Sequence, residues 1–279
     1  MNTQKLKAGL YLVATPIGNL GDITLRAIDI LKRVDAIACE DTRVSGFLLK
    51  SHEIKKPLLS IHDHNELQDA DKIIARIREG QAIALISDAG MPLISDPGYK
   101  LIRECQKADI YVTSLPGANA PLMALQLSGL PSDQFSFLGF LPSKTTARRE
   151  ELAKWKAVSS TLIFFESANR IDKSLEDILE VLGNRDMALA RELTKMFEEI
   201  RRGKVSELIE KIREDGPPKG EIVLVISGAG SDTEELDLEK ILADALEHHS
   251  LKDAVALVQG RTGLPKKQIY NLALELGRK

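Results

Sequence analysis

Short apolar runs alternate along this chain with longer stretches in which apolar residues recur every three or four positions. Leu10–Ala14, Ala36–Cys39, Leu58–Ile61, Ala82–Ser87 and Ile110–Thr113 read as buried strands. Between them, Ile23–Val34 sets Ile23, Ala27, Ile28, Leu31 and Val34 on one helical face. Asn65–Glu79 is a helix that Gly80 ends, and Tyr99–Lys107 and Ala118–Ser128 are two more. This alternation predicts a mostly parallel sheet covered on both faces.

Gly129-Leu130-Pro131-Ser132 reads as a linker. Beyond it, Phe135–Gly139, Thr161–Phe165, Met187–Ala190 and Glu221–Ser227 are strands, and Thr146–Trp155, Lys173–Leu182 and Val205–Arg213 are helices. Strands take a larger share here, which predicts a mixed sheet. Gly228-Ala229-Gly230 imitates part of a nucleotide fingerprint, but the third glycine is absent and Asp232, Glu234 and Glu235 would repel a phosphate, so it reads as a second linker. Three helical patterns close the chain: Leu238–Glu247, Leu251–Gln259 and Lys266–Leu276. The last two have a helix-turn-helix rhythm, with Thr262-Gly263-Leu264-Pro265 as the turn. The expected organisation is an α/β domain over 1–117, a second over 118–230 and a helical module over 231–279.

Open parallel sheets bind ligands beyond the carboxyl ends of their strands, so the loops after strands carry the interest. Thr15-Pro16-Ile17-Gly18-Asn19-Leu20-Gly21-Asp22 follows the first strand. Pro16 fixes φ, Gly18 and Gly21 permit close approach of backbone to a ligand, and Asp22 is placed to cap a helix. The run Ser87–Gly98 packs two Asp, two Pro and two Gly into twelve residues. Leu115-Pro116-Gly117-Ala118 follows the fifth strand. Neither the dinucleotide nor the Walker spacing is present. Three such loops at one sheet edge outline one pocket. Two polar clusters, Glu40-Asp41-Thr42-Arg43 and His62-Asp63-His64-Asn65-Glu66, also follow strands. His62 and His64 on an extended segment invite a metal, but a third ligand at a recognisable spacing is missing, so no metal is expected. His248-His249 reads as solvent-facing.

Composition narrows the partners. The 279 residues suit about two domains of roughly 150 residues, and 43% hydrophobic content is enough for real cores. The formal charge of −3 gives no overall basic excess, so any RNA contact falls to local patches. Lys144, Arg148, Arg149, Lys154 and Lys156 beside Trp155 form one patch, and Arg201, Arg202 and Lys204 another; the competing reading is solvated helix faces paired to Glu150 and Glu151. Cys39 and Cys105 fit neither a metal knuckle nor a disulfide framework and read as buried thiols of a reducing compartment. No stretch reaches the ~20 apolar residues of a membrane span, and the apolar run at Leu10–Ala14 is too short for a signal peptide, so a cytoplasmic protein is expected.

The first turn, Glu40–Arg43, the His62–Glu66 cluster and the whole run Ala84–Gly98 resemble the bacterial small-subunit ribosomal RNA (cytidine 2′-O-)methyltransferase I family, within the tetrapyrrole methylase superfamily. The similarity continues through Gly129–Asp133, Phe164–Ser167, Arg191–Lys195 and Lys219–Glu221, and is thinnest after Ser231. The resemblance implies two α/β domains with S-adenosylmethionine in the cleft between them. It further implies methyl transfer to a cytidine ribose 2′-hydroxyl of 16S ribosomal RNA near the decoding centre, and a homodimer. Cofactor contacts are expected from Thr15, Pro16, Ile17 and Gly18, from Asp88, Ala89, Gly90, Met91, Ile94, Ser95 and Asp96, and from Pro116, Gly117, Ala190 and Gly220. Relatives often carry Pro-Ser or Pro-Cys after the glycine where Ala118-Asn119 stand here, which puts a side-chain contact there in question.

A ribose hydroxyl is a poor nucleophile, so a base helps. Asp88, Glu166, Lys195, Asp41 and His62 are the candidates, with Glu166 and Lys195 favoured because they would face the cleft from the second domain. As a base, Lys195 would need a pKa lowered by burial or neighbouring charge. Arg43, Lys144, Arg148, Arg149, Arg201 and Arg202 are the expected RNA contacts. Two other readings stay open: a small-molecule methylase with the same cofactor site, and a non-catalytic RNA-binding or ribosome-assembly protein.

Overall fold

The computed structural model describes residues 5–61, 66–230, 238–262 and 266–276. The chain divides into two compact units, Met1–Gly228 and Ala229–Lys279. Both sheets lie in the first unit.

The first sheet takes β1 (Gly9–Val13), β2 (Ala36–Cys39), β3 (Leu58–Ser60), β4 (Ala82–Ile86) and β5 (Val112–Leu115) in the order β3-β2-β4-β1-β5, every pair parallel. Its connections carry α1 (Leu25–Arg33), α2 (Thr42–Ser51), α3 (Glu66–Arg78) and α4 (Tyr99–Lys107). Alternation along the strands sends Val13, Ile37, Cys39, Ala84 and Ile86 to the core shared with α1 and α2. Leu10, Ala36, Ala38, Ile83 and Leu85 go to the core shared with α3 and α4. Both faces being covered, the strands read as unbroken apolar runs. Burying each large aliphatic side chain contributes about 1.5–3 kcal/mol. From β1 the chain moves toward one sheet edge, and from the neighbouring β4 toward the other. That opposition makes a crevice at their carboxyl ends.

The second sheet takes β6 (Phe135–Phe140), β7 (Thr161–Ser167), β8 (Asp186–Arg191), β9 (Glu199–Lys204) and β10 (Glu221–Ile226) in the order β6-β7-β10-β8-β9. Only β6 and β7 pair in parallel. One face packs Leu162, Phe164, Leu189 and Leu224 with α6 (Thr145–Lys154), α7 (Ile171–Leu182) and α8 (Val205–Asp215). The other packs Ile163, Ala188, Ala190, Val223 and Val225 against α5 (Ala120–Ser128) and against Ile17 of the first turn.

The expected linker at Gly129–Ser132 is not where the chain passes between sheets. Helix α5 already packs on the second sheet, and Gly129, at φ 78°, is its left-handed terminator. Ser128 Oγ accepts the Leu130 N–H at 3.0 Å and ties that turn down. The passage is the short segment Pro116–Asn119. Two elements go beyond the periodicity argument. Helix α2 is capped by Asp41, which accepts the Arg43 N–H at 2.8 Å, and holds only Ser45, Leu48 and Leu49 buried around an internal Gly46. Strand β9 is a charged edge strand, Glu-Ile-Arg-Arg-Gly-Lys, the composition that keeps sheet edges from pairing further.

The second unit holds α9 (Leu238–His248), α10 (Leu251–Thr262) and α11 (Lys266–Leu276) around its own small core of Leu242, Ala254, Val255, Val258 and Ile269. His248 and His249 are exposed. No helix among the described residues is long and apolar enough to cross a membrane.

Candidate active site

The loops after β1 and β4 are sewn together. Thr15 and Gly90 exchange both backbone hydrogen bonds, at 2.9 and 3.1 Å. The buried Thr15 Oγ1 donates to the Ser87 carbonyl at 3.0 Å, and Ser87 Oγ to the Gly90 carbonyl at 3.0 Å. Gly90 sits at φ 81°, and the non-glycine Leu93 and Ser95 are also left-handed, at 72° and 66°. Each of those two conformations costs about 1–3 kcal/mol, a strain found where a loop is shaped for a ligand.

These loops form one wall of a cleft of about 280 Å³. Ile17, Asp88–Met91 and Ile94–Asp96 line it from the first sheet, and the start of α5, Asn119–Pro121, lines its base. The second sheet contributes Phe140, Phe165, Glu166 and the first residues of β10, Glu221–Val223. A bulge in β6 between Phe137 and Phe140, with Gly139 at φ 67°, brings Phe140 against Phe165 at 5.1 Å between ring centroids. Asn119 caps α5 by accepting the Leu122 N–H at 3.0 Å, and its amide meets Met91 Sδ at 3.5 Å.

The predicted site residues divide into those that line the cleft and those that lie outside its lining. Ile17, Asp88, Ala89, Gly90, Met91, Ile94, Ser95, Asp96 and Glu166 line it. Thr15 and its neighbour Pro16 are buried beneath the stitch. At Gly117, after Pro116, a Cβ would stand 2.5 Å from the Ala14 Cβ, so the crossing segment lies directly on β1's end. Ala190 is fully buried in the core beneath α5. Gly18 lies under the Lys195 stem and Gly220 under Glu192, each too close for a side chain. Sequence reasoning missed Phe140, Phe165 and the β10 residues; the glycine inside an apolar strand at Gly139 was the available signal.

Three candidate bases are corrected. Glu166 has a fully buried carboxylate that accepts the Ser167 N–H at 2.7 Å, Arg170 at 2.6 Å and Ser174 Oγ at 2.5 Å, so it anchors the start of α7. Lys195 Nζ is held by Glu192 at 2.9 Å and Glu221 at 3.2 Å. Burial pushes its pKa down, but the two carboxylates outweigh that and hold it above the ordinary lysine value, opposite to what a base needs. Asp41 is gripped by Arg43, whose side-chain and backbone hydrogen bonds bring its pKa to about 2. Asp88 stays exposed at the cleft, where Oδ1 accepts the Asp41 N–H at 3.3 Å. His62 and the rest of 62–65 lie outside the described residues.

The tetrapyrrole (corrin/porphyrin) methylase family model matches residues 9–209, which take in the whole first sheet and the second sheet as far as β9, with the cleft loops after β1 and β4. The chain belongs to that family. A second model, the RsmI C-terminal HTH domain, matches residues 232–277. The chain is 49% identical over 270 residues to the ribosomal RNA small subunit methyltransferase I of Escherichia coli O157:H7, covering 95% of this chain and 94% of that one. It is 46% identical to the protein of that name from Mesorhizobium japonicum, covering 97% and 93%. Among solved structures, uroporphyrin-III-C-methyltransferase from Thermus thermophilus superposes with a TM-score of 0.56 at 20% identity, over 78% of this chain and 94% of that one. The cobalt precorrin-4 methyltransferase gives 0.57 at 18%, over 77% and 93%. Those two establish the fold of this methylase.

The methylase's expected RNA contacts part company. Arg148 is corrected: it is 1% exposed, with Nε on Asp177 at 2.7 Å and Nη1 on the Pro142 and Ser143 carbonyls, so it is interior structure. Arg149 shares Asp177 and reaches Glu180. Arg201 is mostly covered and paired with Glu199 and Asp215, and Arg202 is spent on the Leu127 carbonyl. Arg43 and Lys144 remain exposed.

Proposed function

We propose that the protein transfers a methyl group from S-adenosylmethionine, bound in this cleft, to the 2′-hydroxyl of a cytidine ribose in 16S ribosomal RNA. The observation that carries it is the 44–49% identity to small-subunit ribosomal RNA methyltransferases along 94–97% of the chain. A tetrapyrrole substrate has weaker support, since the structures with that chemistry share only 18–20% identity. A homodimer in the cytoplasm is part of the proposal.

The residues present suit this cofactor. Backbone N–H groups of the Gly90 loop suit a carboxylate, the carboxylates of Asp88 and Asp96 suit cationic and hydroxyl groups, and Ile17, Met91 and Ile94 suit a flat apolar ring. When bound, the cofactor supplies a methyl group made electrophilic by its sulfonium. The protein's part is to hold the ribose oxygen in line with that methyl. Asp88, exposed and steadied by the Asp41 N–H, is the group we assign to take the hydroxyl proton. Arg43, next to it along the Asp41 pair, and Lys144 are assigned to RNA phosphates.

The test is transfer of labelled methyl from S-adenosylmethionine to purified small ribosomal subunits, followed by 2′-O-methyl mapping. Label in a cytidine ribose is expected. No incorporation into subunits or naked RNA, or label in a tetrapyrrole instead, would overturn the reading.

A further inference from the structure

Lys195 has a place in the fold that the base reading leaves unexplained. Its stem covers the first turn: a Cβ on Gly18 would stand 2.4 Å from Lys195 Cγ and 2.9 Å from Cε. Its ammonium is shared by two carboxylates of the second sheet, Glu192 just past β8 and Glu221 at the start of β10. Glu192 is itself fixed. Its Oε1 accepts the Glu221 N–H at 3.0 Å, its own N–H donates to the Glu221 carbonyl at 3.0 Å, and its side chain fills the space a Cβ on Gly220 would need. Glu192 and Thr194 are both non-glycine residues at positive φ, 49° and 68°. A segment strained twice, and over-determined by this many bonds, marks a position set for a task.

Both ends of this arrangement belong to the cleft. Ile17, adjacent to Gly18, lines one wall and Glu221 the other. Ile17 and Leu193 also pack in the same core cluster. The lysine thus joins the turn after β1 to the end of β8 and the start of β10, beside the space where the cofactor is proposed to lie.

We propose that Lys195 is a positioning residue, a cationic strap that holds the Gly18 turn against Glu192 and Glu221 and so sets the width of the cofactor cleft. The inference rests on the cofactor reading given above. With the strap cut, the cleft walls lose one of their ties, and Glu192 and Glu221 are left as neighbouring carboxylates without their shared cation.

The experiment measures the Kd of S-adenosylhomocysteine by calorimetry, and KM and kcat on small ribosomal subunits across pH, for wild type, Lys195→Met and Lys195→Arg. Lys195→Met keeps the stem and removes the charge. Its Kd and its KM for S-adenosylmethionine should rise on the order of tenfold, the weight of a charged hydrogen bond, with a smaller fall in kcat. Lys195→Arg should recover most of that loss. A kcat lower by about 10²–10⁴ with unchanged Kd would make Lys195 a base and overturn the strap. Unchanged Kd, KM and kcat would overturn it too. Should Lys195→Met not fold, Glu192→Gln must raise Kd in the same direction, and an unchanged Kd there overturns the proposal. Wild-type protein that binds no S-adenosylhomocysteine removes the cofactor reading and the strap together; wild type and Lys195→Met binding alike removes the strap alone.

Discussion

Arg148 and Asp177 form an ion pair sealed from water, Nε to Oδ2 at 2.7 Å, with side-chain exposures of 2% and 3%. Removing one member of a buried pair strands the other charge, at a cost of about 3–5 kcal/mol. Arg148→Ala is therefore expected to lower the unfolding midpoint in urea sharply, leaving only Arg149 on Asp177. Wild-type stability in that variant would contradict the interior assignment.

RNA affinity is expected to depend instead on Arg43 and Lys144, which are exposed. Changing both to Glu should weaken binding to small subunits and flatten the dependence of affinity on salt, because fewer counterions are released. Cofactor affinity should hold within about twofold, since neither side chain lines the cleft. Filter binding at several salt concentrations measures it, and an unaltered slope would count against the assignment.

The Lys195 cluster makes a pH prediction. Lys195 is held above its ordinary 10.5, and its stabilisation is full below that value and lost as pH rises through the folded pKa. Glu192 is held below its ordinary 4.5, chiefly by the Lys195 hydrogen bond, and its stabilisation is present above 4.5 and lost as pH falls through the folded pKa. The contribution of the Lys195–Glu192 pair to cofactor affinity should therefore be flat between these limits in wild type. A step near neutral pH in a calorimetric series would show that another group governs the cleft.

Gly117→Ala should do more damage than its size suggests. The added methyl would stand 2.5 Å from the Ala14 Cβ, on backbone that is buried at the end of β1. Either β1's end or the start of α5 must shift. A fall in thermal midpoint together with a raised Kd for S-adenosylhomocysteine is expected. Full affinity would mean that the crossing segment tolerates displacement.

Burial raises the thiol pKa of Cys39, and raises that of Cys105 to about 11, and both side chains have zero exposure. Neither should react with a thiol reagent at pH 8 in the native protein. Both should react on unfolding in urea, which a colorimetric titration counts directly.

What the sequence revealed follows from how each feature is encoded. Strands buried on two faces announce themselves as apolar runs, so β2 was readable to the residue, and helix α4 was too, from the four-residue spacing of Leu101 and Cys105. Helix α2 was hidden because Thr42, Val44, Ser45 and Gly46 are weak helix formers, and its stability comes from the Asp41 cap and from packing. Strand β9 was hidden because an edge strand has no need of apolar alternation, and its arginines looked like an RNA patch. The loops lining the cleft were visible through their Gly, Pro and Asp content. Partner choice was not. That Arg148 would find Asp177, or Lys195 would find Glu192 and Glu221, depends on helices and strands meeting far apart in sequence.

The passage between the sheets has a mechanical consequence. The segment Pro116–Asn119 is only four residues long, it begins where β5 ends, and its last residue already lines the cleft. The chain therefore has no slack there with which to swing the two layers apart. An opening that swings the layers apart must bend this segment, whose last residue belongs to the binding surface, so a ligand that grips Asn119 restrains the motion that let it in.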